Sequence, residues 1–131
     1  MNNIQTIQKM YELFSIKDFN AIRTLFDEKI NWNQMKGFPG GGQYIGSDDV
    51  FEKVFDAFNQ NWNSWKAFIT RFIDSGDGAF VIGYYEGTYK ATGRSMRAEF
   101  ACEYKVINGK ITEFNQYTDT FLIAEAMGLT K

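Results

Sequence analysis

Two carboxylates stand among aromatic side chains in a pattern able to do acid–base chemistry. They are Asp119, in the run Gln116-Tyr117-Thr118-Asp119-Thr120, and Glu86, which follows Tyr84 and Tyr85. A carboxylate surrounded by Phe114, Tyr117 and Phe121 loses hydration, which raises its pKa toward the range where it can abstract a proton near neutral pH. Asp119 is also placed to N-cap a closing helix, and both roles stay open at this level. Glu86 could pair with Asp119 or hold a water for it. Gly83 and Gly87 both permit a bulge, so strand parity leaves open whether Tyr85 or Glu86 faces inward. Tyr11 could donate a hydrogen bond to a substrate carbonyl, or sit in a core with its hydroxyl at the rim. Cys102 has no cation on its own strand face to lower its pKa and reads as a small core or pocket-wall residue. The chain has no histidine and one cysteine. Histidine-bearing zinc sites, Ser-His and Cys-His triads and an internal disulfide are therefore excluded, and carboxylates and tyrosines must carry any proton transfer.

The elements that position these residues follow from periodicity. Ile4, Ile7, Tyr11 and Phe14 fall on one helical face and predict a first helix. Asp18 can cap a second, short helix in which Phe19, Ile22, Leu25 and Phe26 share a side. Lys29 to Asn33 alternates and predicts a brief strand, and Gly37 to Gly42 a loop, serving either as a lid over a pocket mouth or as a plain connection. With Ser47 as N-cap, Val50, Phe51, Val54, Phe55, Phe58 and Trp62 form the apolar stripe of a third helix. Strands then run from Trp65 to Asp74, Ala79 to Lys90, Ser95 to Ile107 and Lys110 to Thr120. Asn108-Gly109 joins the last two, because both residues tolerate the positive φ of a type I′ turn. A short helix from Phe121 to Met127 closes the chain, with Gly128 at its C-cap. Three helices followed by a curved antiparallel meander make an α+β cone, a single domain over residues 1–131, with the helices on the concave face. On the strand from Ser95, Ala98, Phe100, Cys102, Tyr104 and Val106 share the face toward the helices, and Arg97, Glu99, Glu103 and Lys105 share the other.

Composition limits the partners. Fourteen basic and sixteen acidic residues give a net charge of −2, and no basic run is interleaved with aromatics, so nucleic acid is not an expected partner. The N-terminus lacks the regions of a signal peptide and no apolar run reaches membrane-spanning length, which predicts a soluble, cytoplasmic protein with no membrane partner. Aromatics are 18% of the chain, 13 of them Phe. That surplus predicts an apolar pocket of about a few hundred Å³ between helices and sheet, with its mouth near Gly40 to Gly42. Tyr11, Trp32, Phe55, Tyr84, Glu86, Cys102 and Tyr117 are the candidate substrate contacts.

Trp32, Pro39-Gly40-Gly41-Gly42, Tyr44-Ile45-Gly46, Gly83-Tyr84-Tyr85-Glu86-Gly87-Thr88, Thr92-Gly93-Arg94, Asn108-Gly109-Lys110-Ile111 and Tyr117-Thr118-Asp119 together resemble the SnoaL-like, ketosteroid-isomerase-like branch of the nuclear transport factor two-like superfamily. The resemblance spans nearly the whole chain. It implies the nuclear transport factor two-like, cystatin-like roll, with no metal or organic cofactor, and a homodimer paired through the outer sheet face. In cyclase-like members a last-strand aspartate is the general acid/base, and Asp119 occupies the similar position. Epoxide-hydrolase-like members carry an arginine and an acid where this chain has Tyr84 and Glu86, so that triad is broken. Steroid-isomerase-like members use a first-helix tyrosine, similar to Tyr11, and an aspartate near the position of Gln34. Related sequences carry a histidine where Cys102 stands. The expected function is a small cofactor-independent enzyme that binds an apolar, carbonyl-bearing molecule and moves a proton through Asp119, as an isomerase or polyketide cyclase does. The other reading is a non-catalytic small-molecule-binding or dimerisation module of the same fold.

Overall fold

Each element forms where local chemistry closes it. The structure, a computed structural model, describes residues 1–130. Helix α1 (Asn3–Ser15) opens on a capping box: the Asn2 side chain accepts from the Gln5 amide, and the Gln5 side chain accepts from the Asn2 amide. Asp18 caps α2 (Phe19–Arg23) through the Ala21 amide, 3.1 Å away. Strands β1 (Phe26–Gln34) and β2 (Gly42–Ile45) come next. β1 is longer than the alternation predicts and takes Phe26 out of the second helix. β2 is too short to show a period of its own.

The third helix is built from α3 (Ser47–Val50), a π-helical stretch over Phe51–Phe55, and α4 (Asp56–Asn61). Its N-cap is Gly46, one residue before the expected Ser47, and no side chain caps it. Val50, Phe51, Val54, Phe55 and Phe58 are buried along it. Strands β3 (Trp62–Asp74), β4 (Gly78–Tyr89), β5 (Ser95–Ile107) and β6 (Lys110–Thr118) follow, and α5 (Thr120–Ala126) ends the fold. The turn between β5 and β6 has φ of 51° at Asn108 and 76° at Gly109, the left-handed pair a type I′ turn demands.

The six strands form one curved sheet in the order β2-β1-β6-β5-β4-β3, with the helices on one face, as an α+β cone requires. One pairing differs from an antiparallel meander: β1 runs parallel to β6, with Trp32 beside Phe114, so the sheet is mixed. The helix and strand excursion between β1 and β6 supplies the crossover that a parallel neighbour needs.

Register then decides which side chains point inward. β4 pairs with β5 without a break from Gly78↔Lys105 to Thr88↔Ser95, which places Tyr85 opposite Ala98 and Gly83 opposite Phe100. Tyr85 therefore faces the helices, and Tyr84 and Glu86 the outside. The β5–β6 ladder slips by one residue between Lys105 and Val106, where Thr112 is the extra residue. Beyond that bulge Gln116 lies opposite Cys102 and Phe114 opposite Tyr104, all on the inner face. Tyr117 points outward and is 54% exposed.

Candidate functional site

Under the helices the inner face of the sheet closes around a cavity of about 50 Å³. That is room for about three or four water-sized groups, well below the few hundred Å³ that the aromatic surplus predicts. The rings pack against one another instead. Trp32 stacks on Phe114 at 3.8 Å, Tyr85 on Phe100 at 4.3 Å and Phe58 on Trp65 at 4.5 Å between centroids. Phe38, 3% exposed, wedges between Phe58, Trp65 and Tyr85 and seals the end next to the glycine loop. Gly41 has no spare room, since a Cβ there would lie 2.6 Å from the Met35 carbonyl oxygen. None of Gly40, Gly41 and Gly42 lines the cavity, whose end on this side is formed by Phe38.

The polar atoms of the cavity wall are few and neutral. Tyr11, from the middle of α1, and Tyr104, from β5, bring their hydroxyls to 2.7 Å. Trp32 Nε1 donates to Gln34 Oε1 at 2.8 Å. Gln116 Nε2 donates to the Tyr85 hydroxyl at 3.0 Å, and Gln116 Oε1 accepts from the Met35 amide at 3.2 Å. The Tyr85 hydroxyl also meets Cys102 Sγ at 3.7 Å. Burial pushes the hydroxyls of Tyr11, Tyr85 and Tyr104 well above the ordinary tyrosine range, and the Cys102 thiol up to about 12. All four stay protonated near neutral pH. Among the described residues no charged side chain is buried; the buried polar residues are Thr6, Gln34 and Gln116.

Counting protons shows what this wall offers. Two facing hydroxyls share one hydrogen bond, so one O–H of the Tyr11–Tyr104 pair is left to donate elsewhere. The Gln34 side-chain nitrogen has no protein partner among the described residues. Among the described residues, a cavity wall with spare neutral donors and no ionisable carboxylate or amine suits a neutral acceptor such as a carbonyl oxygen. No three of His, Cys, Asp or Glu converge as metal ligands among the described residues.

The candidate residues divide accordingly. Tyr11, Trp32 and Phe55 line the cavity, and Cys102 lies behind Tyr85 in its wall. Tyr84 and Glu86 are on the outer face, where Tyr84 stacks on Phe68 and lies under the Arg97 guanidinium. Tyr117 is also outside. Asp119 is exposed and accepts from the Leu122 amide at 3.3 Å as the N-cap of α5. Its carboxylate is not part of the cavity wall, which corrects its expected place as a pocket base. The cause is the bulge at Thr112. An unbroken register from the Asn108-Gly109 turn would set Tyr117 opposite Phe100 and turn Asp119 inward, whereas one extra residue reverses every face beyond it.

Tyr85, Tyr104, Gln34 and Gln116 complete the polar wall and were not among the candidates. The inward parity of β5 already marks Tyr104. Gln116 needed the bulge, and Tyr85 needed the β4 register.

A SnoaL-like domain model matches residues 7–114, most of the chain. This chain belongs to the SnoaL-like family. Among solved structures it is similar to a nuclear transport factor two-like protein from Burkholderia thailandensis, at 32% identity over 97% of this chain and 98% of that one, with a TM-score of 0.93. TerC, co-crystallized with polyporic acid, shares the fold at 22% identity and a TM-score of 0.86, over 96% of this chain and 98% of its own. So does a protein with a ketosteroid isomerase-like fold from Catenulispora acidiphila, in complex with trimethylamine, at 16% identity and a TM-score of 0.81 over 98% and 96%. No curated protein matches the sequence. No helix among the described residues is long and apolar enough to cross a membrane.

Proposed function

We propose that this chain binds a small, mostly apolar molecule through a carbonyl oxygen that accepts from the Tyr11–Tyr104 hydroxyl pair, as a binding module and not as a proton-transfer enzyme. Behind this reading stands one observation: the cavity wall offers neutral donors and no ionised group. Gln34 is an amide, and Asp119 and Glu86 lie outside, so a bound ketone would be polarised without being deprotonated. The family's isomerase and cyclase chemistry needs a base that this cavity does not supply.

The test pairs a ketone with the hydrocarbon of the same shape and reads binding by quenching of tryptophan emission, since Trp32 and Trp65 line the cavity. The ketone is expected to bind more tightly. Its advantage should fall about tenfold in the double variant Tyr11→Phe/Tyr104→Phe, the scale of one hydrogen bond, while the hydrocarbon is unaffected. Protein-catalysed exchange of the ketone's α-protons in heavy water would reveal a base and overturn the binding reading.

Two further parts of the proposal concern its setting. The protein works in the cytoplasm, where the free Cys102 thiol stays reduced. It pairs with a second copy through the outer sheet face, where Tyr84, Arg97, Glu99 and Tyr117 border one shallow depression. Opposite charges and exposed rings in one patch suit a two-fold contact. Sedimentation equilibrium at micromolar concentration should give twice the chain mass, and a monomer there removes this part.

A further inference from the structure

A second, larger space lies outside the first. Between the end of α1, the start of α2, the end of α4 and the edge strand β3 there is an open depression of about 350 Å³. Rings of Phe14, Phe19, Phe58, Trp62, Trp65 and Phe68 border it. It shares Tyr11, Phe14, Phe58, Trp65 and Ala67 with the inner cavity, so the two spaces adjoin along these side chains. Gly87 makes room for this wall: a Cβ there would lie 3.0 Å from the Trp65 ring and 3.1 Å from that of Trp62.

Charge in the depression has one sign. Lys17 and Lys66 border it, with the neutral Ser15, Asn59 and Ser64, and no carboxylate does. Neither lysine forms a salt bridge with another described residue. Asp18, next to Lys17, is engaged on the Ala21 amide, and Glu86, the cross-strand neighbour of Lys66, forms no ion pair with it. Lys17 also holds a backbone conformation that favours glycine, with φ of 57°, at the turn that ends α1. A lysine there costs stability that a glycine would not, and it sets a cation at the rim of an aromatic surface in a chain of net negative charge.

Size and charge together define an occupant. The inner cavity admits a carbonyl group and little more, whereas the depression is the size of a small-molecule site. We infer that the ligand is an aromatic anion: its carbonyl end enters the inner cavity, its rings lie in the depression against Trp65 and Phe58, and its carboxylate or sulfonate sits at the lysine rim. The inference rests on the carbonyl-binding reading for the inner end and on the lysines alone for the outer end.

The experiment compares 2-acetylnaphthalene with 6-acetyl-2-naphthoate by tryptophan quenching. The carboxylate should bind about fivefold more tightly, the upper range for exposed ion pairs. That advantage should vanish in Lys17→Gln/Lys66→Gln and shrink at about 0.5 M salt. Equal affinity of the two compounds, unchanged in the lysine variant, overturns the anionic part; the carbonyl reading then stands if Tyr11→Phe/Tyr104→Phe weakens both. A lysine-dependent carboxylate advantage without any effect of the tyrosine variant supports the anionic rim and removes the carbonyl reading. Failure of both compounds to bind overturns both.

Discussion

At the scale of single residues, Asp119 shows how one side chain can satisfy two readings until its surroundings are known. As an N-cap its oxygen accepts from an α5 amide that would otherwise lack a partner. Asn accepts in the same way, so Asp119→Asn should leave thermal stability and ligand affinity close to wild type. Asp119→Ala should cost about 1 kcal/mol, read by urea denaturation, again with unchanged affinity. Loss of ligand binding in Asp119→Asn would return the carboxylate to the site. The cavity residues act in the opposite sense: Tyr11 and Tyr104 lie 93 positions apart, and their value to a ligand comes from the one proton their mutual hydrogen bond leaves over.

Among the elements, β6 carries the decisive irregularity. Thr112 is one extra residue in an otherwise regular hairpin, and its hydroxyl donates to the Lys105 carbonyl at 3.3 Å. With the bulge present, Phe114 and Gln116 face the helices; without it, Glu113, Asn115 and Tyr117 would. Inserting one residue directly after Thr112, with the bulge still absorbing a single residue, should therefore turn Glu113 and Asn115 toward the core and expel Phe114 from its stack on Trp32. Burial of an unpaired charge on that scale exceeds what a domain this size can absorb. Near-ultraviolet circular dichroism should lose its aromatic signal in the insertion variant. A native spectrum there would mean that the hairpin restores its register elsewhere.

For the whole molecule, neutrality of the interior sets its response to pH. The Cys102 thiol is raised from an ordinary 9.0 to about 12, chiefly by burial, and burial raises Tyr11, Tyr85 and Tyr104 in the same direction. Each of these groups gives up its proton more easily in the unfolded chain. Their contribution to stability is thus complete below the unfolded pKa and is lost as pH rises through the folded one. For Cys102 alone the loss between about pH 9 and 12 amounts to about 4 kcal/mol. Urea denaturation should show stability falling above about pH 9, and Cys102→Ala should flatten that fall. Stability that stays level to about pH 11 would contradict a fully dry thiol.

Local patterns in the sequence determined the helices, the Asn108-Gly109 hairpin, the inward face of β5 and the α+β class, because helical period, strand alternation and turn chemistry act over a few residues. The same short range explains the exclusions that follow from one cysteine and no histidine. Tertiary structure alone decided that β1 runs parallel to β6, that Tyr85 and not Glu86 faces the helices, and that Asp119 stands outside. These choices depend on pairing between distant segments, and in a strand of period two a single inserted residue exchanges the inner and outer faces. The cavity followed the same rule: the count of rings was legible in the chain, but whether they enclose a space or stack on each other was settled by how the helices close on the sheet.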